Sequence, residues 1–124
     1  MDSFSHVNNA VYIRWLESSR VQYLDDSHLS ELMEATGTGP ILASIHCDYK
    51  RQLRHPDTVQ IGARMVKLGG TSMRVEHAVY SEDQQAIVAL GKSGVVYYDY
   101  TNQKPVPIPD EARARICKLE GREL

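Results

Sequence analysis

The chain opens with a short segment in which four side chains could take part in chemistry. Asp2 carries a carboxylate, His6 an imidazole, and Asn8 and Asn9 carry amides. A carboxylate or an imidazole can act as a general base or orient a water molecule. A predicted helix follows at once, and its first turn would present unpaired N–H groups and a partial positive charge. Such a helix start suits an oxyanion or a polarised carbonyl, although the same amides would also serve as simple helix caps.

Side chains spaced for a long helix follow this segment. Apolar residues recur at intervals of three and four positions over residues 11–24, as they do on one face of a helix. This stripe contains the only tryptophan, Trp15, so we expect the helix to be the spine of the core. A second, short helix is predicted over residues 27–35, and the glycines and proline of residues 37–40 end it.

The next part of the chain is predicted to form antiparallel strands. Apolar and polar residues alternate over three segments, residues 41–49, 59–65 and 73–79. Pro56 keeps the polar connection between the first two out of a central strand. His77 falls on the apolar side of its strand, and we expect it to be a hydrogen-bonded core residue rather than a ligand.

A fourth strand, residues 86–100, is apolar on both faces. The long helix would cover one face, and another element or a second subunit would cover the other. Gly91 and Gly94 inside this strand indicate a bulge, a bend or a closely approaching ligand. With a charged helix expected from Asp110 to about Glu120, the pattern predicts a single α+β domain over residues 1–124, with one long helix on a curved antiparallel sheet.

Composition narrows the function classes. The 124 residues carry a formal net charge of −2 with both signs interspersed, which gives no support for a nucleic-acid partner. No apolar run approaches the roughly 20 residues that a membrane span requires, and the N-terminus lacks the apolar core of a signal peptide. Cys47 and Cys117 stand far apart and the histidines lack metal-ligand spacing. We therefore expect a reducing, cytoplasmic location, no disulfide and no metal site.

The N-terminal segment and the helix behind it resemble a motif of the hotdog-fold acyl-CoA thioesterases. Within that family the motif is most similar to the 4-hydroxybenzoyl-CoA thioesterase-like group, and its His-Val-Asn-Asn run is also similar to that of plant acyl-ACP thioesterases. The resemblance is carried by Asp2, His6, Val7, Asn8, Asn9 and Tyr12, with Trp15, Glu17 and Arg20 behind them. It covers nearly the whole chain. It implies a long helix wrapped by a curved antiparallel sheet. Subunits would pair edge to edge as a homodimer or homotetramer, with the acyl-thioester sites at the dimer interface.

The resemblance also implies roles for individual residues. Asp2 matches the family's catalytic aspartate, the nucleophile or general base toward the thioester carbonyl. Asn9 stands where the family uses a backbone N–H at the helix start to polarise that carbonyl. His6 would orient water or Asp2, with capping or packing as the alternative, and Asn8 and Tyr12 are expected to contact the substrate. The resemblance implies no cofactor beyond coenzyme A as part of the substrate.

Coenzyme A would need cations for its phosphates. Lys50, Arg51, Arg54 and His55 cluster in one connection, and Lys92 lies near the glycines of the long strand. We expect the two lysines and two arginines to bind substrate, with a merely solvated loop as the alternative interpretation.

Some features depart from the family pattern. Ser5 stands where the family usually has Gly, and Phe4 stands where the plant enzymes have Asn. The family also has a strand before the aspartate, whereas this sequence starts at Met1. We therefore expect the sheet either to lack its first strand or to gain it from residues encoded upstream.

The predicted function is hydrolysis of an acyl-CoA or acyl-carrier thioester. The main alternative is a catalytically silent hotdog protein that binds acyl thioesters or serves as an assembly module. A hotdog dehydratase fits less well, because the long helix follows the Asp/His motif instead of preceding a catalytic histidine and acid.

Overall fold

The computed structural model describes residues 7–124 of the chain. Asp2 and His6 therefore lie outside the described residues. Within the described range the elements are α1 (Asn9–Asp26), α2 (Leu29–Thr36), β1 (Thr38–Tyr49), β2 (Val59–Leu68), β3 (Ser72–Ser81), β4 (Ala86–Asp99), β5 (Lys104–Pro105) and α3 (Asp110–Glu120). Their order agrees with the sequence prediction, and α1 starts two residues before its predicted apolar stripe.

The strands form one antiparallel sheet in the order β1-β4-β3-β2, and the short β5 pairs with the end of β4. The register shifts between Leu42 and Ser44 in β1 and between Met65 and Lys67 in β2. Such bulges bend a strand and increase its twist. These two shifts therefore contribute to the curvature that the sequence predicts for the sheet.

The first strand is longer than predicted, because β1 runs through Gly39 and Pro40. Pro40 lies opposite Tyr97 of β4. The N–H and C=O of Tyr97 point away from β1, to Thr71 O at 2.7 Å and Val106 N at 3.0 Å. Pro40 therefore sits at a position where β4 requires no donor, so its missing N–H breaks no bond between these two strands.

Helix α1 packs across β2 and β3, as expected for the spine of the core. Its buried side chains are Tyr12, Leu16 and Tyr23. Tyr12 and Leu16 belong to one buried cluster, completed by Leu53, Val79, Val88 and Ala89. Tyr23 belongs to a second cluster, completed by Leu29, Met65, Met73, Val75, Val95, Tyr97, Ile108, Ala112 and Ile116. Burying one Leu-sized side chain stabilises the fold by about 1.5–3 kcal/mol, so α1 is held along most of its length.

The C-terminal helix closes the second cluster with a polar contact. The Glu120 carboxylate accepts hydrogen bonds from the Tyr23 hydroxyl at 2.6 Å and from the Met65 backbone N–H at 2.9 Å. Burial, and then the hydrogen bond to Glu120, raise the pKa of Tyr23. The Met65 N–H lies at the β2 bulge, so Glu120 satisfies a donor at a point where the ladder is interrupted.

His77 is the hydrogen-bonded core histidine that the sequence predicts. Its side chain is 2% exposed, with Nδ1 2.8 Å from Ser19 Oγ and Nε2 2.7 Å from Ser93 Oγ. The Ser19 hydroxyl donates to the Leu16 carbonyl, so it must accept from His77 Nδ1–H, and Nε2 then accepts from Ser93. Burial, with the nearby Arg20 charge, lowers the pKa of His77 to about 4. A neutral imidazole thus ties α1 to β3 and β4.

The two glycines of β4 are explained by neighbouring side chains of the same chain. A Cβ on Gly91 would lie 2.5 Å from Leu16 Cδ1, and a Cβ on Gly94 would lie 2.5 Å from Ser44 Oγ. Gly94 also stands opposite the β1 bulge. The two glycines therefore give room to side chains of the same chain, and a ligand that approaches them stays a prediction.

The other face of the sheet stays open within residues 7–124. Ile87 and Leu90 of β4 are exposed on this side, beside a charged row in which Lys92 lies between His46 and Glu76. Glu76 pairs with a neighbouring arginine of β2 at 2.9 Å. Another subunit as the cover of this face therefore stays a prediction.

Candidate active site

The first residues of α1 carry backbone N–H groups that the N-cap satisfies only in part among residues 7–124. Asn8 is the N-cap, and its side-chain oxygen accepts from Ala10 N at 2.8 Å. The Asn8 carbonyl accepts from Val11 N at 2.9 Å. Asn9 is exposed, and its N–H finds no acceptor among residues 7–124. The cap residue therefore satisfies the N–H groups of Ala10 and Val11, and within residues 7–124 nothing accepts from the Asn9 N–H.

A groove of about 340 Å³ lies beside this donor. Its lining combines the helix start with the segment that follows β1: Val7, Asn9, Tyr12, Tyr49, Lys50, Arg51, Gln52 and Leu53. Val7 N–H donates to Leu53 O at 2.9 Å, and the N–H groups of Lys50 and Arg51 donate to Val88 O at 2.8 and 3.2 Å. The first bond holds the segment against the start of α1, and the other two hold it to β4.

Tyr12 forms the floor of the groove. Its ring is 3% exposed and makes edge-on contacts with Trp15 and Tyr49, with centroids 5.4 and 4.9 Å apart. Burial raises the pKa of Tyr12, with Cys47 and Tyr49 adding to the rise. The neutral phenol therefore gives the groove an apolar aromatic base, on which a substrate would rest.

The basic connection is fixed to the β3–β4 turn. Asp57 accepts from the Ser81 hydroxyl at 2.5 Å and from the Asp83 N–H at 3.2 Å, and the Gln84 amide donates to Gln52 O at 2.8 Å. A second hollow, of about 760 Å³, lies along this connection. It is lined by Arg51, Gln52, Arg54, His55, Pro56, Asp57, Asp83 and Gln84. Arg51 lines both hollows and joins them.

The structure therefore brings together part of the predicted set. Asn9, Tyr12, Lys50 and Arg51 line one groove, with Asn8 as the cap beside it and Arg54 in the adjoining hollow. The structure does not bring Lys92 to them. It lies in the charged row on the sheet face opposite α1, with His46 and Glu76 as cross-strand neighbours. The roles of Asp2 and His6 stay predictions.

Sequence reasoning did not place Val7, Tyr49, Gln52 and Leu53 in the site. Of these residues, the sequence pattern could have indicated only Tyr49, because it ends an alternating strand on the same face as Cys47. Leu53 is different, because only the fold brings this buried residue against the start of α1.

The groove between α2 and α3 is larger than the Asn9 groove but offers no comparable chemistry. It has a volume of about 590 Å³ and is lined by Asp26, Ser27, His28, Glu31, Glu111, Ala114, Arg115, Lys118 and Leu119. Arg115 pairs with Glu111 at 2.9 Å and donates to the His28 carbonyl at 2.5 Å. The Arg115 side chain of this groove is thus already engaged by the chain itself. Across residues 7–124, no group of three or more His, Cys, Asp or Glu residues is arranged to hold a metal ion.

Comparison with known proteins decides the family. The family model described as the thioesterase-like superfamily matches residues 1–116. The chain belongs to this superfamily. The predicted class of enzyme, a thioester hydrolase, and the predicted α+β hotdog fold are confirmed by this match and by the solved structures below.

The relatives of this thioesterase-like chain are similar over nearly its whole length. A thioesterase of Thermus thermophilus, solved in complex with coenzyme A and Zn, is 34% identical with a TM-score of 0.83, covering 98% of this chain and 87% of that one. The long-chain acyl-CoA thioesterase FadM of Escherichia coli K12 is 27% identical over 119 residues, 96% of this chain and 90% of FadM. The crystal structure of YbaW, a probable thioesterase from Escherichia coli, is 26% identical with a TM-score of 0.85, covering 96% and 90%.

Proposed function

We propose that this protein hydrolyses acyl-CoA thioesters in the groove at the start of α1. The observation that carries the proposal is Asn9, whose N–H has no acceptor among residues 7–124 and which lines a groove together with Lys50 and Arg51. Similarity to FadM, named as a long-chain acyl-CoA thioesterase, supports coenzyme A as the carrier. An acyl-carrier protein is the second carrier that the sequence left open, and the experiment below includes it.

The Asn9 N–H would donate to the thioester carbonyl oxygen. Negative charge develops on that oxygen when a nucleophile adds to the carbonyl carbon, and a fixed donor at the positive end of α1 stabilises it. Asp2 would remove a proton from the attacking water, or attack the carbonyl itself, and His6 would orient Asp2 or the water. The C–S bond then breaks, and coenzyme A leaves as a thiolate that takes up a proton. Where Asp2 is the nucleophile, water then hydrolyses the acyl–Asp2 anhydride and releases the acid.

The basic connection would hold the phosphates of coenzyme A. Lys50 and Arg51 lie at the groove, and Arg54 lies in the hollow that adjoins it. Hydrogen bonds from such cations to phosphate are charge-assisted and favour the bound substrate. Lys92 faces away from this groove within one chain, so its contact with substrate stays a prediction for the assembled protein.

We further propose a homodimer, or a homotetramer made of two dimers, in the cytoplasm. β1 pairs with β4 along one edge, and its other edge has no strand partner among residues 7–124. Ile41 and Tyr49 on this strand are exposed. Pairing with β1 of a second copy would satisfy the open edge and continue the sheet. Among the helices of residues 7–124, none has the length and apolar character to cross a membrane.

The test is a panel of acyl-CoA and acyl-carrier thioesters, assayed by detection of the released thiol. The native chain is compared with Asp2→Asn, which keeps the shape of the side chain and removes its basicity. We expect turnover by the native chain and a large loss of kcat in the variant. Equal turnover by both proteins would refute the role of Asp2. Absence of turnover, together with measurable binding of coenzyme A, would show the silent binding protein instead.

A further inference from the structure

A half-exposed apolar surface continues from the Asn9 groove along the edge of the molecule. It consists of Trp15 on α1 and of Ile45, Cys47 and Tyr49 on β1, and is called the α1–β1 strip below. Tyr49 is 43% exposed, and the other three are partly buried around the Tyr12 cluster. Tyr49 lines both the groove and the strip, so the two surfaces are continuous.

The strip exists because α1 lies over β2 and β3 and leaves β1 incompletely covered. Side chains of β1 alternate between the two faces of the sheet, so Ile45, Cys47 and Tyr49 all point to the α1 side. The charged residues between them, His46 and Asp48, point to the other side and pair with each other at 2.9 Å. The strip is therefore free of formal charge, and burial raises the pKa of the Cys47 thiol, which keeps it neutral.

The space between α1 and the sheet is already filled. Leu16 is 0% exposed, and it packs so closely on β4 that a Cβ on Gly91 would clash with it. Tyr12 and Leu53 close the floor of the groove. A long apolar group that enters at Asn9 cannot continue beneath the helix, and the strip is the apolar surface beside it.

We propose that the α1–β1 strip binds the acyl chain of the substrate and selects straight-chain fatty acyl groups over hydroxylated aromatic ones. This inference rests on the proposed function, because the acyl carbonyl must sit at Asn9 for its chain to reach Tyr49. The strip would contact an acyl chain through the indole of Trp15, the sec-butyl group of Ile45, the thiol of Cys47 and the phenol ring of Tyr49. None of these side chains carries a charge that could pair with a polar substituent. It runs about 13 Å along β1 before the bulge that follows Leu42.

We expect kcat/KM to increase regularly with the length of the acyl chain. Each methylene that leaves water contributes up to about 0.8 kcal/mol, so kcat/KM should rise by about two- to fourfold per added carbon until the strip is filled. Beyond that length the rise should stop, because further carbons remain in solvent.

The kinetic test uses straight-chain acyl-CoA substrates from butyryl to palmitoyl. Ile45→Gln places an amide in the strip and should reduce the gain per carbon. The matched control is Val21→Gln on α1, since Val21 is 53% exposed and lies outside the strip. The control should keep the native dependence on chain length. A flat dependence in the native enzyme, or an unchanged one in Ile45→Gln, would overturn the proposal.

A binding test separates this proposal from the proposed function. Trp15 is the only tryptophan, so its fluorescence reports directly on the strip. Titration with free fatty acids from hexanoate to dodecanoate should shift Trp15 emission with affinity that rises with length. A length-dependent fluorescence response without turnover of any thioester would refute the proposed hydrolysis and support binding of acyl chains at the strip. If Ile45→Gln lowers the mass measured by light scattering and leaves the fatty-acid affinities unchanged, the strip is a contact between copies and the proposal is wrong.

Discussion

The buried histidine predicts how the stability of the fold depends on pH. An unfolded chain would protonate His77 near its ordinary pKa of 6.5, whereas burial holds the folded-state pKa at about 4. As pH falls from 6.5 toward 4, the unfolded state binds a proton at His77 and the folded state does not, so the free energy of unfolding falls in this window. The contribution of His77 to stability is fully present above pH 6.5, and none of it remains to be lost below the folded-state pKa.

The size of this effect follows from the two values. One pKa unit corresponds to about 1.4 kcal/mol, so the full contribution is about 3 kcal/mol, of which about 2 kcal/mol is lost by pH 5. Urea unfolding of the native protein at pH 7.5, 6, 5 and 4.5 measures the decline. His77→Gln cannot titrate, so its free energy of unfolding should fall less over the same range. His28→Gln is the control, because His28 is exposed.

Two results would refute this reasoning. One is a parallel fall in stability for the native protein and His77→Gln. The other comes from NMR titration of the native imidazoles, which does not depend on the variant folding. A His77 signal that titrates near 6.5 would show that the ring is not held neutral between Ser19 and Ser93.

Three further predictions follow from local geometry. Asn8→Ala should lower the free energy of unfolding by about 1 kcal/mol in urea titrations, because Ala10 N loses its cap, whereas Asn8→Asp should keep most of it. Gly91→Ala should lower the free energy of unfolding by about 1–3 kcal/mol, because the added Cβ meets Leu16. Gly62→Ala has open space around its Cβ, so it should not lower that free energy through a steric clash. Arg51→Gln should raise KM for acyl-CoA by about two- to fivefold at low salt with little change in kcat, since an exposed ion pair is weak and screened.

Each of these has a contrary outcome. Equal stability of Asn8→Ala and Asn8→Asp would mean that the cap does not stabilise α1. A neutral Gly91→Ala would mean that Leu16 can move away from β4. A fall in kcat with unchanged KM for Arg51→Gln would place Arg51 in the chemical step instead of in phosphate binding.

The sequence predicted the parts of the fold that short-range patterns specify. The three- and four-residue spacing around Trp15 predicted α1, and the alternation around His77 predicted both β3 and a hydrogen-bonded histidine. A cap at Asn8 or Asn9 was predictable because a side-chain acceptor before an apolar stripe has a local function, and the structure assigns the cap to Asn8. These features depend on residues a few positions apart.

Features set by distant contacts were harder to predict. Leu53 reaches the groove only because the chain folds back beneath Val7. Lys92 was expected near the substrate, but β4 is apolar on both sides, so its sequence did not tell which face would meet α1. The start of β1 was missed because Pro40 argues against a strand unless the strand lies at an edge.

The most direct test of the central claim is removal of the Asn9 N–H itself. Asn9 is the first residue of α1, where proline is well tolerated, and Asn8 already has the extended conformation that precedes a proline, with φ −68° and ψ 143°. Asn9→Pro deletes the donor and should keep the helix, whereas Asn9→Ala deletes only the side chain. We predict that Asn9→Pro lowers kcat by about 100- to 1,000-fold relative to Asn9→Ala, with a similar Tm. Equal kcat in the two folded variants would contradict the account.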